Sequence, residues 1–419
     1  MKLWLWGDNS DGFLGDGTEE HRSSPVQTIT GGSTWKVAQV GYDGVIALKD
    51  DGSLWTWGDG GHGVLGNLDE QDVSSPVHIA QGKTWKSIGG SNYYWGVSCA
   101  IDTSDKLYIW GYNSEGGLGL NDTIERSSPT QLGTKNWKQA AASAYSSAAI
   151  DDSNKLFTWG RNSDGELGLD DDANRSSPNQ VGSDDWDSVA PGYKYMLGIK
   201  SDGTLWSWGY NDYGQLGLND QSIRSSPTQI GSANDWKMVT SCYRHTAALK
   251  NDGSLWIWGY NGYGQLGIGS VEDMSSPVQV AGTWDDVSCG EYHTIGLRSD
   301  GTVWTWGSNY YGQLGDNTEE DKSSPVQIYA SPTGWTLVSA GYASLAMQDE
   351  VETVTKSCST LSCSTPAFKC YVGATQSCSC ARWKFYTAQC TRIQQALGIC
   401  SGTSGAYVPA IVVCNQKLF

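Results

Sequence analysis

Leu255-Trp256-Ile257-Trp258-Gly259-Tyr260-Asn261-Gly262-Tyr263-Gly264-Gln265-Leu266-Gly267, followed by Ser275-Ser276-Pro277 and Trp284, decides the fold, because the phrase is written seven times in the chain. Its Trp-Gly step falls at Trp6, Trp57, Trp110, Trp159, Trp208, Trp258 and Trp306, at intervals of 48 to 53 residues. The Ser-Ser-Pro step ends in phase at Pro25, Pro76, Pro129, Pro178, Pro227, Pro277 and Pro325. A further Trp follows at Trp35, Trp85, Trp137, Trp186, Trp236, Trp284 and Trp335. Periods of this length mark solenoids, propellers or arrays.

Within one repeat, short runs read as strands. Leu54-Trp55-Thr56-Trp57 alternates two faces, and Trp35 to Val40 and Val45 to Leu48 are β-rich runs bounded by Gly or Asp-Gly. Asp51-Gly52, Asp202-Gly203, Asp252-Gly253 and Asp300-Gly301 are hairpin signals, since Gly reaches the positive φ of a primed turn. Each repeat is therefore a small antiparallel sheet. One such sheet buries neither face alone, and a Trp-rich face supplies the contact for stacking on the next. The expected fold is all-β, a ring of seven blades.

The Trp-Gly-x-Asn-x-x-Gly-x-Leu-Gly phrase, with Tyr243-Arg244-His245-Thr246 and Tyr292-His293-Thr294 upstream, resembles the regulator of chromosome condensation family of seven-bladed propellers. The resemblance covers about residues 1–348. It identifies fold better than function. It implies nucleotide exchange on a small GTPase and chromatin attachment, but the chain departs from the family there. It opens directly on a strand without a basic arm, and no blade carries a long insertion to serve as a wedge.

Met1 to Gly7 aligns with Gly52 to Gly58, so the sequence begins inside a repeat. The complementary half lies at Trp335 to Met347, which predicts that these strands share a blade with residues 2–7 and close the ring. No apolar run of secretory type precedes the first strand, and none is long enough to span a bilayer.

The chain has 45 acidic and 27 basic residues, a formal −18, divided as −22 over residues 1–349 and +4 over 350–419. A ring this acidic repels phosphate, so nucleic acid is not an expected partner. Asp8-Asn9-Ser10-Asp11-Gly12 opens like a calcium loop, but with Gly12 at the sixth place the twelfth is Thr18 and Glu19 matches only loosely, so solvated turns are the reading preferred. His21, His62, His78, His245 and His293 are the only histidines. His245 and His293 occupy one repeat position, which argues for a structural hydrogen bond rather than a catalytic pair. No Ser-His-Asp order, metal spacing or phosphate loop stands out, so no enzyme activity, cofactor or metal is expected.

After Glu350 the repeat stops and Cys358, Cys363, Cys370, Cys378, Cys380, Cys390, Cys400 and Cys414 arrive, eight of the eleven cysteines. So dense a set in a segment too small for its own core predicts a disulfide-stapled module. The segment has no His and no paired two-residue spacing, which disfavours zinc. Trp383 to Leu397 reads as a helix ended by Gly398, and Ala406 to Cys414 as an edge strand. Cys99, Cys242 and Cys289 in the ring read as buried thiols, with Cys242 and Cys289 also placed to bridge two blades.

The expected organisation is a propeller over residues 1–349 and a cysteine-rich tail over 350–419. The expected function is a non-enzymatic extracellular or virion-surface structural protein, its tail linking copies into an assembly or filament. Two alternatives stand beside it. One is a secreted propeller binding a surface glycan or protein, with Tyr210, Tyr213, Tyr260, Tyr263, Tyr310 and Tyr311 stacking on sugars unless they pack between blades. The other is the family's intracellular exchange factor or adaptor.

Overall fold

The computed structural model describes residues 1–29, 34–90, 96–329 and 334–349, together with three short strands at 353–356, 371–372 and 378–381. It divides into two compact units, Met1–Glu350 and Val351–Phe419. The first is a ring of seven four-stranded antiparallel sheets. Blades are numbered here from the one that begins at Trp35.

In blade 5, Trp236–Ser241, His245–Lys250, Leu255–Gly259 and Met274–Val280 lie side by side in chain order. The first strands of successive blades touch one another all the way round, so they line the axis and the Ser-Ser-Pro strands form the rim. Blade 7 is composite. Its order is Arg22–Gln27, Lys2–Gly7, Ala343–Gln348, Trp335–Ala340, with Lys2 opposite Gln348 and Gly7 opposite Ala343. The two ends of the repeat region therefore close the ring in one sheet, as the alignment of Met1 to Gly7 predicts.

The core is made between blades rather than within them. Among the described residues the buried apolar side chains fall into seven clusters, each joining two neighbouring blades. In one, Tyr195, Leu197, Leu205 and Leu216 of blade 4 meet Trp236, Val239, Ala248 and Trp258 of blade 5. The repeated phrase is the docking device. The indole N–H of each Trp-Gly tryptophan donates to a carbonyl in the preceding blade's loop, that of Phe13, Val64, Gly117, Glu166, Gln215, Gln265 or Gln313, at 2.8–3.0 Å. The glycine after each Leu is required by the same contact. At Gly217, with φ +73°, a Cβ would stand 2.8 Å from the Trp258 indole nitrogen.

The Asn of the phrase builds the loop that presents the carbonyl. Asn261 is fully buried, its Oδ1 accepting from the Leu266 N–H at 2.9 Å and its amide donating to the Ser270 and Glu272 carbonyls. Asn9, Asn113, Asn162, Asn211 and Asn309 are equally buried and hold their loops by the same bond to a Leu N–H. Blade 1 departs, with Gly60 at this position and a 3₁₀ turn over Gly61–Gly63 instead.

The acidic loops are occupied by their own bonding. Asp122, Asp171 and Asp220 accept backbone N–H bonds two residues on and pair with Arg126, Arg175 and Arg224. Asp8 Oδ1 accepts from the Ser10 N–H at 2.9 Å. These are turn-capping roles, the alternative weighed against calcium.

In the second unit, Thr353–Lys356 and Tyr371–Val372 flank Cys378–Ala381 in one antiparallel sheet. The expected disulfide framework lies outside the described residues, apart from the backbone of Cys378 and Cys380. The expected helix at 383–397 and the strand at 406–414 also lie outside them. Among the described residues no helix is long and apolar enough to cross a membrane.

Candidate functional site

Because each blade is antiparallel, the turn between its first and second strands and the loop after its third strand share one face of the ring. The Asp-Gly turns share the other. On the first face the turns place Tyr42, Tyr145, Tyr193, Tyr243, Tyr292 and Tyr342 around the axis. Neighbouring rings touch, with centroids 6.2 Å apart for Tyr145 and Tyr193, 4.7 Å for Tyr193 and Tyr243, and 5.7 Å for Tyr243 and Tyr292. The third-strand loops add Tyr210, Tyr213, Tyr260 and Tyr263, so that Tyr213 meets Tyr260 and Tyr263 meets Tyr292.

Arg244 is clamped within this array. Its guanidinium lies 4.5 Å from the centroids of both Tyr213 and Tyr243 and donates to the Tyr213 hydroxyl at 2.8 Å. Stacking on two faces fixes a long side chain that otherwise samples many rotamers. Burial raises the Glu291 carboxyl to about 6, against the opposing pull of Tyr292 and Arg244. Of the six tyrosines singled out from the sequence, Tyr263 and Tyr310 are exposed, at 41% and 74%, while Tyr210, Tyr213, Tyr260 and Tyr311 are half-buried against other rings. Packing thus takes four of them. The turn tyrosines, Arg244 and Glu291 were missed, although a Tyr recurring beside the His position of each repeat was a readable signal.

Across the mouth, blades 7 and 1 present an acidic sector. Burial and the carboxylates of Asp59, Asp72, Asp8 and Glu19 hold Asp11 at about 6. Burial pushes Asp43 up to about 8, opposed by its bond from the Gly96 N–H at 2.6 Å and reinforced by Asp59 and Asp11. Asp43 therefore holds a proton in the folded chain between about pH 4 and 8, where the unfolded chain has released it. Stability from this group is present at the acid end of that window and is lost as pH rises through it. Relative to the wild type, Asp43→Asn is expected to gain ~1.4 kcal/mol per pH unit from about pH 4 to 8 and to level off above. Urea titrations at several pH values check this, and a pH-independent difference would contradict it.

His245 and His293 are buried and structural, as their shared repeat position predicts. His245 Nε2 bonds the Thr294 hydroxyl at 3.0 Å and His293 Nε2 the Ser344 hydroxyl at 2.8 Å, each crossing to the next blade. Burial lowers both to about 3, so neither exchanges protons near neutrality. Cys99, Cys242 and Cys289 are buried free thiols, so no bridge joins Cys242 to Cys289.

The model of the RCC1-like domain matches residues 2–242, more than half of the 419-residue chain, and that of the regulator of chromosome condensation (RCC1) repeat matches residues 252–297 and 300–346. This chain belongs to the RCC1 family. It is 32% identical over 131 residues to the ultraviolet-B receptor UVR8 of Arabidopsis thaliana, covering 31% of this chain and 30% of that one. It is 32% identical over 125 residues to the mitochondrial RCC1 domain-containing protein RUG3 of the same plant, 28% of this chain and 27% of that one. The matches thus span less than a third of either relative. Among solved structures, Prp20p of Saccharomyces cerevisiae, described with its binding to Gsp1p and histones, superposes with a TM-score of 0.76 at 20% identity, over 84% of this chain and 92% of that one. At that identity the likeness establishes the fold.

The family and its sequence relatives correct two expectations. A relative that works inside the mitochondrion overturns the extracellular or virion-surface location. The structural role, with a tail linking copies into a filament, is overturned with it. It rested on the dense tail cysteines read as a disulfide-stapled module, whereas the specific signal lay in the repeats.

Proposed function

We propose that this RCC1-family propeller is a non-catalytic protein-binding module inside the cell, of the adaptor or exchange-factor kind, receiving its partner on the tyrosine face. The observation that carries the reading is the Arg244 guanidinium held between Tyr213 and Tyr243, on the same face of the ring as the exposed Tyr263 and Tyr310. Rigid aromatic rings and an ordered Arg are what interface hot spots are made of. Prp20p, on the same fold, binds Gsp1p and histones, which are proteins. The acidic sector of Asp8, Asp11, Asp59 and Asp72 favours a partner with a basic patch and adds to its rate of encounter.

The test places a photo-crosslinking residue at Tyr310 and, as a control, at Asp252 on the opposite face. The partner crosslinks from Tyr310 and not from Asp252. Arg244→Ala with Tyr263→Ala weakens its binding by about 30-fold or more, the ~2 kcal/mol of a hot-spot residue, with the unfolding midpoint unchanged. Crosslinking from Asp252 alone would refute the reading. Accelerated nucleotide release from a captured GTPase separates exchange factor from adaptor.

A further inference from the structure

The turn of blade 5 and the first strand of blade 6 bring three metal-ligating residues together. Cys242 Sγ, a ring nitrogen of His245 and Cys289 Sγ all lie within 4.8 Å of one another, and all three residues are fully buried. The ring supplies a specific vacancy in bonding. His245 Nε2 is taken by the Thr294 hydroxyl, while the buried Nδ1 has no hydrogen-bond partner among the described residues. A buried imidazole nitrogen without a partner costs free energy unless something ligates it.

The fold does not require cysteine at either position. Where blade 5 has Cys242, blades 1, 4, 6 and 7 have Gly41, Gly192, Gly290 and Gly341, and blade 3 has Ser143. Where blade 6 has Cys289, the others have Val40, Gly90, Ala142, Pro191, Ser241 and Ala340. The two positions are not equivalent in the repeat, yet the ring sets both against the same histidine.

We propose that Cys242, His245 and Cys289 form a site for one thiophilic d10 cation, Zn²⁺ or Cu⁺, that ties blade 5 to blade 6. Two thiolates and one neutral imidazole complete a three-coordinate site for Cu⁺, and for Zn²⁺ they supply three of four tetrahedral positions, the fourth falling to a water. With Zn²⁺ the two thiolates leave the buried cluster neutral, which removes the cost of an isolated charge there. Metal–sulfur bonds of ~2.3 Å put donor atoms roughly 3.5–3.8 Å apart, so loading draws the two blades together by up to about an ångström. Binding releases two thiol protons and leaves every covalent bond intact.

The full chain, purified under reducing conditions, is loaded with Zn²⁺ or with Cu⁺, freed of excess ion and assayed for bound metal per chain. The comparison is the full-length Cys242→Gly, Cys289→Ala variant, carrying residues that other blades hold at these positions. The eight tail cysteines are common to both chains, so the difference reports this site. One more equivalent of Zn²⁺ or Cu⁺ in the wild type, with a metal-dependent rise in its unfolding temperature that the variant lacks, is the expected result. The preferred ion names the cation. Cys289→Ser serves as a second variant should the double one not fold, and it too should lose one equivalent. Equal metal content with both ions, or a Cys242–Cys289 disulfide in the native chain, would overturn the site.

Discussion

A chain cut after Gly334 is expected to lose the cooperative unfolding transition that a chain cut after residue 349 keeps. The difference is the inner half of the closing blade. Residues 335–348 supply Trp335, Val338, Leu345 and Met347, all buried, and give the Lys2–Gly7 strand its partner. Without them two clusters open at once, Leu3, Leu5, Trp35 and Val45 on the blade 1 side and Trp6, Ile295 and Leu297 on the blade 6 side. Exposing these seven side chains at about 1.5–3 kcal/mol each costs roughly 10–20 kcal/mol. That matches or exceeds the whole net stability of a typical domain. Urea titrations of the two truncations decide it. Equal midpoints and slopes would mean that the ring is held elsewhere.

The second large effect belongs to one tryptophan. Trp258 has no exposed surface and packs on Tyr195, Leu197 and Leu216 of the preceding blade, with its N–H on the Gln215 carbonyl at 2.8 Å. Trp258→Ala is expected to cost ~3–5 kcal/mol, the range for removing a buried aromatic ring. Trp258→Phe keeps most of the apolar contact and gives up the hydrogen bond, at about 1 kcal/mol, since the Thr246 hydroxyl still donates to the Gln215 carbonyl at 3.0 Å. Midpoints shift while the denaturant slope stays constant if the native ring is otherwise unchanged. A loss below ~1 kcal/mol for the Ala variant would show that blades do not depend on this contact.

The candidate site was legible only in part. Tyr263 and Tyr310 were found by their aromatic character, but the same reasoning left all six tyrosines open between stacking on a ligand and packing, and Tyr210, Tyr213, Tyr260 and Tyr311 lie half-buried against other rings. Sequence spacing does not say which neighbour leans over a side chain. Arg244 was read only as part of a family phrase; its clamp comes from Tyr213, 31 residues earlier in the preceding blade's loop. Nothing in the sequence sets Asp43 apart from the other turn carboxylates, and its proton is held by burial beside Gly96.

The sequence by itself determined the period, the strand composition, the number of blades and the closure of the ring by its two ends. These follow from local rules: alternation, Asp-Gly turns and a phrase repeated in phase, each needing only a few adjacent residues. The tertiary structure alone decided what each phrase does. The indole reaches back to the previous blade, the glycine clears space for it, and the asparagine holds the loop that offers the carbonyl. It alone decided which side chains meet at the mouth of the ring and that two cysteines and a histidine from different repeat positions share one buried place. Contacts between blades join residues about fifty positions apart, and their distances depend on the curvature of the closed ring, a property of the whole circle that no single stretch of sequence carries.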